Sequence, residues 1–300
     1  MTSQKAQWIG VDWGTTSLRA WVFGNEEQPI EVLRAETGAD GLSEEQFEPA
    51  LLDLIEPFLG DGNTHVICCG AAGARNAWHE TPYTGVPCQP LNTESAVKVS
   101  TSDPRLDIRI LAGVSQSSPA DVIRGEETQI AGYLSENPEF DGVLCLPGTH
   151  TKWVHISAGE IVSFRTFMTG EMFDLLASQS ILRHSVERNG WNDIEFENAV
   201  ADGMASPQMI AARLFGLRAE GVLNNLSPAT ALSRLSGYLI GIELAASKPY
   251  WLGQNVAVIG EPQLNALYAA ALRVQDAPAS LVSADRTTMN GLIMAHNAMF

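Results

Sequence analysis

The chain is predicted to fold as α/β, in two duplicated domains flanking a cleft, and three observations carry that expectation. A Gly-Thr turn occurs twice, in Val11-Asp12-Trp13-Gly14-Thr15-Thr16-Ser17-Leu18-Arg19 and in Leu146-Pro147-Gly148-Thr149-His150-Thr151-Lys152-Trp153. With Gly14 laid on Gly148, Thr15 meets Thr149, Ser17 meets Thr151, and the pairs Thr37-Gly38 and Thr169-Gly170 follow at nearly the same offset. Around each turn the same succession appears: three strands, helix, strand, helix.

Each element has its own signal. Trp8 to Trp13, Leu18 to Phe23 and Ile30 to Glu36 read as three short strands, the first two joined at the Gly14-Ser17 turn. Leu42 to Leu59 has helical spacing, with Ser43 as N-cap and Glu44 and Glu45 in the first turn. His65 to Cys69 is a short apolar strand followed by the loop Gly70 to Asn76, and Ile108 to Leu111 is another strand. Ala120 to Leu134 is expected to be helical and to stop at Asn137-Pro138.

The pattern then restarts, so the domains are placed at 1–136 and 137–300. Gly142 to Leu146, Trp153 to Ile156 and Glu160 to Phe167 form the second strand triplet. Glu171 to His184, Ala205 to Ala219 and Ala229 to Ala246 read as helices, the last of them as either core or interface. Val256 to Ile259 is a buried strand running through Gly260 into a helix at Gln263 to Val274. A strand near Leu281-Val282 and a helix from about Thr288 complete the copy.

Composition narrows the partners. A chain of 300 residues can hold two medium domains, each with a core. A net charge of −17 argues against nucleic acid, whose backbone is gripped by Lys and Arg. It leaves phosphate ligands open, because amides, hydroxyls and Mg²⁺ bind them on an acidic surface. Cys68, Cys69, Cys88 and Cys145 form no Cys-x-x-Cys pair and read as reduced core thiols. The polar run from Met1 to Gln7 leads into a strand and has no signal-peptide pattern. No apolar run approaches the ~20 residues of a membrane helix. The expectation is a soluble cytoplasmic protein without a membrane partner; a homodimer stays open.

The turns carry the chemistry. Asp12 ends a buried strand, where an acid is costly without a partner. A hydrated Mg²⁺ on ATP would be one, since that ion keeps waters and takes few carboxylates. Gly14 allows a phosphate close to the backbone, and Thr15, Thr16 and Ser17 offer hydroxyls and amides. One such segment is equally a β-turn of turn-favouring residues. Two of them, with Gly148, Thr149, Thr151 and Lys152 repeating the donors and adding a cation, read as a polyphosphate grip. His150 sits in the second turn as a phosphate neighbour or a hydrogen-bonded turn residue. Neither the P-loop pattern nor a Gly-x-Gly-x-x-Gly fingerprint is present.

These duplicated hairpins, with the strand-Gly-helix segment Val256 to Pro262, resemble the sugar kinase, Hsp70 and actin superfamily. The resemblance implies two ribonuclease-H-like (actin-like ATPase) domains around a central nucleotide cleft, with Gly260 and Gln263 beside adenosine and Leu264 flanking. Arg124-Gly125-Glu126-Glu127-Thr128-Gln129 resembles the stretch that places the catalytic acid in glycerol- and xylulose-type kinases. It puts Glu126 in that role, with Glu in place of Asp, and leaves Glu127 and Asp174 as alternatives. Arg75 and Asn76 fall where those kinases bind substrate, and an Arg suits a carboxylate. The whole chain resembles the 2-dehydro-3-deoxygalactonokinase family in Asp12 to Ala20, Arg124 to Gln129 and Pro147 to Trp153. That implies an ATP- and Mg²⁺-dependent transfer to the 6-hydroxyl of a sugar acid in galactonate catabolism. Kinases for other sugar acids or sugars, and an actin- or chaperone-like ATP switch, remain as rivals.

Overall fold

A computed structural model describes residues 4–300. Met1–Ser3, the first part of the polar run read for a signal peptide, lie outside the described residues. The chain divides into two compact units. Unit 1 comprises the chain as far as Phe140, with Ser157–Ser163 and Ala284–Phe300; unit 2 comprises Asp141–Ile156 and Phe164–Ser283.

In unit 1, β1 (Trp8–Trp13), β2 (Leu18–Phe23), β3 (Pro29–Ala35), α1 (Glu44–Ile55), β4 (Thr64–Gly70), β5 (Tyr83–Gly85), β6 (Val97–Val99), β7 (Leu106–Ile110), β8 (Gly113–Ser117), β9 (Ala120–Ile123) and α2 (Glu126–Glu136) follow one another. The tight turn makes β1 and β2 antiparallel, whereas β1, β4 and β7 run parallel because longer connections return the chain. The resulting order is β3-β2-β1-β4-β7-β6. Ser43 caps α1 with Gln46 completing a capping box.

Unit 2 holds β10 (Gly142–Leu146), β11 (Thr151–Ser157) and β12 (Glu160–Phe167), apart from Ser157 and Glu160–Ser163, which fall in unit 1, and then α3 (Thr169–Ser178), α4 (Asp193–Ala205), α5 (Ile210–Leu223), α6 (Pro228–Ala246), α7 (Lys248–Trp251), β13 (Val256–Gly260), α8 (Pro262–Arg273) and β14 (Ala279–Ser283). Its sheet order is β12-β11-β10-β13-β14, with β10, β13 and β14 parallel. Position for position this repeats β3-β2-β1-β4-β7. The duplication read from two turns therefore extends to the whole sheet.

Four expectations need correction. Ala120 to Leu134 is not one helix: Ala120–Ile123 pairs with β8 as β9, and Gly125, at φ 103°, breaks the chain before α2. Pro207 separates α4 from α5 where one helix was expected, and α4 itself was not foreseen. The helix expected over Glu171 to His184 is α3 followed by a single 3₁₀ turn at Ile181–His184. The division is not at 136/137 either, because α9 (Ala284–Met299) belongs to unit 1. Its Gly291 and Gly132 of α2 let the two helices touch backbone to backbone, and Leu292 and Ala295 pack with Trp8, Phe23 and Ile67. By contrast α6, left open between core and interface, is core: Leu235, Leu239 and Leu244 are essentially inaccessible.

Candidate functional site

The first turn is a β1–β2 hairpin closed by the Gly14 amide donating to the Ser17 carbonyl at 2.9 Å. Thr15, Thr16 and Ser17 stand exposed at its tip. The chain comes back to brace the turn from behind: Ala39 and Asp40 amides donate to the carbonyls of Gly14 and Thr15, each at 2.9 Å. Gly38 makes that approach possible, since a Cβ there would collide with the Thr15 carbonyl.

Asp12 does have a partner in the protein. Opposite it in the register, Arg19 donates to its Oδ2 at 2.6 Å, and both side chains are nearly buried. Arg19 and Arg34 also pair with Asp285 at the start of α9. The other Asp12 oxygen lies 3.8 Å from the Cys69 thiol and faces Gly70. One oxygen held by Arg19 suits an indirect, water-mediated role toward a metal. Among the described residues no group of three or more His, Cys, Asp or Glu side chains is placed to hold a metal ion.

Close backbone packing brings the α2 acids beside this strand end. A Cβ on Gly70 would lie 2.5 Å from the Trp13 carbonyl, and one on Gly125 would lie 3.1 Å from Gly70 Cα. At the head of α2 the two glutamates diverge. Glu126 is half-buried and accepts from the Arg124 amide at 3.0 Å. Glu127 is fully buried, and both its oxygens face the Gly125 amide at 2.9 and 2.7 Å. Burial, and then the neighbouring Glu126 charge, push the Glu127 carboxyl up to about 8. Glu126 is therefore the accessible acid of the pair. Arg75 and Asn76 lie on the exposed loop after β4; Arg75 is 80% exposed and 3.5 Å from Glu80.

Unit 2 repeats the braced turn. Gly170 sits against the second hairpin as Gly38 does against the first: its Cβ would collide with the Gly148 carbonyl and lie 2.9 Å from Thr149 Cα. The Glu171 amide donates to the Thr149 carbonyl at 2.9 Å. His150 and Glu171 meet at 2.5 Å, and Lys152 Nζ donates back to the His150 carbonyl at 3.0 Å. Thr151, expected among the phosphate donors, instead turns inward and shares a hydrogen bond with the Tyr268 hydroxyl at 2.8 Å. β11 is buried over its first four residues, so the chain passes from the turn tip straight into the interior at Thr151.

Beside this hairpin lies a cavity of about 580 Å³, lined by Gly148, Gly170, Trp191, Ser236, Gln263 and Leu264 among others. Gly260 stands behind that wall: the Asn265 amide donates to its carbonyl at 3.1 Å, and a Cβ would press on Asn265 and Pro147. Asp174, the reserve acid, is exposed in unit 2 and paired with Arg188 at 2.7 Å. Sequence reasoning missed Arg19, Trp191, Asn265 and Glu243; of these only Glu243, an acid amid an apolar helix, carried a signal.

The model of the 2-keto-3-deoxy-galactonokinase family matches residues 12–295. The chain belongs to this family. It is 33% identical over 299 residues to "Probable 2-dehydro-3-deoxygalactonokinase DgoK1" of Rhizobium meliloti (strain 1021), covering 98% of this chain and 97% of that one. It is 30% identical over 291 residues to 2-dehydro-3-deoxygalactonokinase of Escherichia coli (strain K12), covering 96% of each. The crystal structure of a Sinorhizobium meliloti protein with the same family designation superposes with a TM-score of 0.91 at 33% identity, over 98% of this chain and 97% of that one. The family is one of sugar-acid kinases, and both sheets carry the ribonuclease-H-like strand order of actin-like ATPases, as expected. Among the described residues no helix is long and apolar enough to cross a membrane.

Proposed function

We propose that this chain transfers the γ-phosphoryl group of ATP to the 6-hydroxyl of 2-dehydro-3-deoxy-D-galactonate in galactonate catabolism, in the cytoplasm. The observation that supports it most is the pair of glycine-braced hairpins within a chain that matches the kinase family end to end. In this reading Gly14 lets the phosphates come close to the turn, and the amides and hydroxyls of Thr15, Thr16 and Ser17, with Gly148, Thr149 and the Lys152 ammonium, hold them. The unit 2 cavity takes the adenosine against Gln263, with Gly260 supporting the wall from behind. Arg75 and Asn76 receive the acid substrate from their exposed loop, where a guanidinium can pair with its carboxylate.

Glu126 accepts the proton of the attacking hydroxyl. The substrate oxygen bonds to the γ-phosphorus, the bond to the ADP oxygen breaks, and the proton passes from Glu126 to solvent. Asp12, held by Arg19, would meet a Mg²⁺ brought by the nucleotide through water, and that ion would supply charge neutralisation for the phosphates. Glu127 is enclosed and instead fixes the Gly125 turn on which Glu126 stands. Phosphorus NMR of the product formed from ATP and the sugar acid tests the assignment. A phosphate ester coupled to the C6 protons is expected; an ester at another hydroxyl, or no ester, overturns it.

A further inference from the structure

Glu243 is an acid in the last turn of α6, 2% exposed, with no part in the transfer just described. Its carboxylate collects donors from three other elements. Trp153 Nε1 on β11 donates to Oε1 at 2.8 Å; the Tyr268 hydroxyl on α8 reaches Oε2 at 2.9 Å; the Thr169 hydroxyl at the head of α3 also reaches Oε2. Thr151 joins through Tyr268. These donors are neutral, and burial pushes the carboxyl up to about 7. A buried acid among neutral donors is costly, and apolar packing in its place would often be as stable, so the network points to a role beyond stability.

What the donors do elsewhere explains it. Thr169 and Tyr268 both line the 580 Å³ cavity, and Thr169 precedes Gly170, the residue braced on the Gly148 turn. Thr151 and Trp153 lie on the strand that leaves the same turn. The carboxylate thus ties together the phosphate hairpin, its brace and the cavity wall. We propose that Glu243 is a positioning residue for the nucleotide, acting through Thr169 and Tyr268. This rests on the reading that the unit 2 cavity receives the adenosine.

The hydrogen-bond pattern dictates which variants separate positioning from bulk stability. Trp153 can only donate, so Oε1 must accept; the two hydroxyls on Oε2 can rotate to accept instead. Glu243→Gln therefore keeps the network, with its NH₂ facing Thr169 and Tyr268, whereas Glu243→Ala removes it. Steady-state kinetics should show KM for ATP raised about tenfold or more in Glu243→Ala, and within about threefold of wild type in Glu243→Gln, with KM for the sugar acid nearly constant in both. Tyr268→Phe, which keeps the ring and loses the hydroxyl's bonds to Glu243 and Thr151, should raise KM for ATP severalfold and serves if the alanine variant does not fold. Leu264→Trp, which fills the cavity, should weaken ATP by itself. If Leu264→Trp leaves KM for ATP unchanged, the cavity is not the nucleotide site and that reading fails. If Leu264→Trp weakens ATP while Glu243→Ala or Tyr268→Phe lowers thermal stability alone, the positioning role is overturned.

Discussion

Glu126 and Glu127 are neighbours at the head of α2, yet one is half-buried and the other has no accessible surface. Accessibility decides which can meet a substrate hydroxyl, so the two should respond differently to the same change. Glu126→Gln removes the proton acceptor while keeping the Arg124 amide contact through its carbonyl oxygen. We expect turnover to fall by about 10²-fold or more with ATP affinity nearly unchanged, measured by steady-state kinetics and equilibrium titration of the nucleotide. Near-normal turnover would remove Glu126 from the mechanism. Residues like Glu126 were legible because they stand in a short motif. Arg19 stands in a motif as well, yet its pairing with Asp285 spans 266 residues of sequence and could not be read from that motif.

At the scale of elements, the hairpins work because a later segment presses on their backs. Gly38 and Gly170 do this without positive φ, so their requirement for glycine is purely one of space. Gly38→Ala and Gly170→Ala should each displace a turn and cost about 1–3 kcal/mol of stability, with kcat/KM for ATP down about tenfold or more. Unfolding curves and kinetics check both; an alanine variant with wild-type kinetics would show that the brace does not position the turn. The Thr-Gly pairs were visible in the sequence as a repeat, and their physical role emerges only when the chain is seen returning to the turn. Other elements misled for identifiable reasons. Ala120–Ile123 lies two residues before the helix-forming run at Glu126, so its pairing with β8, a tertiary effect, and the break at Gly125 were hidden behind that run's propensity. The short strands β5, β8 and β9 have too little alternation to stand out, although together they make a sheet.

For the whole molecule, repetition in sequence predicted repetition in fold, and the five matching strand positions bear that out. The domain limits were less legible, because α9 follows the second copy in sequence and packs with the first. Stability carries its own signature. Burial raises Glu127 from 4.5 to about 8 and Glu243 from 4.5 to about 7. The folded chain therefore keeps protons that the unfolded chain releases, so this contribution is fully present below the ordinary carboxylate range and is lost as pH rises through the folded values. The groups facing Glu243 are Thr151, Trp153, Thr169, Tyr268 and the Cys145 thiol, none of them cationic. Glu243→Gln should lose less melting temperature than wild type between pH values of about 5 and 8. Parallel melting curves across that range would contradict a raised Glu243.

A sugar-acid kinase consumes ATP only in the presence of its acid. ADP release should be measured with purified protein, ATP and Mg²⁺, first alone and then with 2-dehydro-3-deoxy-D-galactonate, its gluconate epimer and a neutral hexose. Negligible release alone, strong stimulation by the galactonate derivative and none by the hexose are expected. Substrate-independent hydrolysis, or equal stimulation by the neutral sugar, would contradict the assignment.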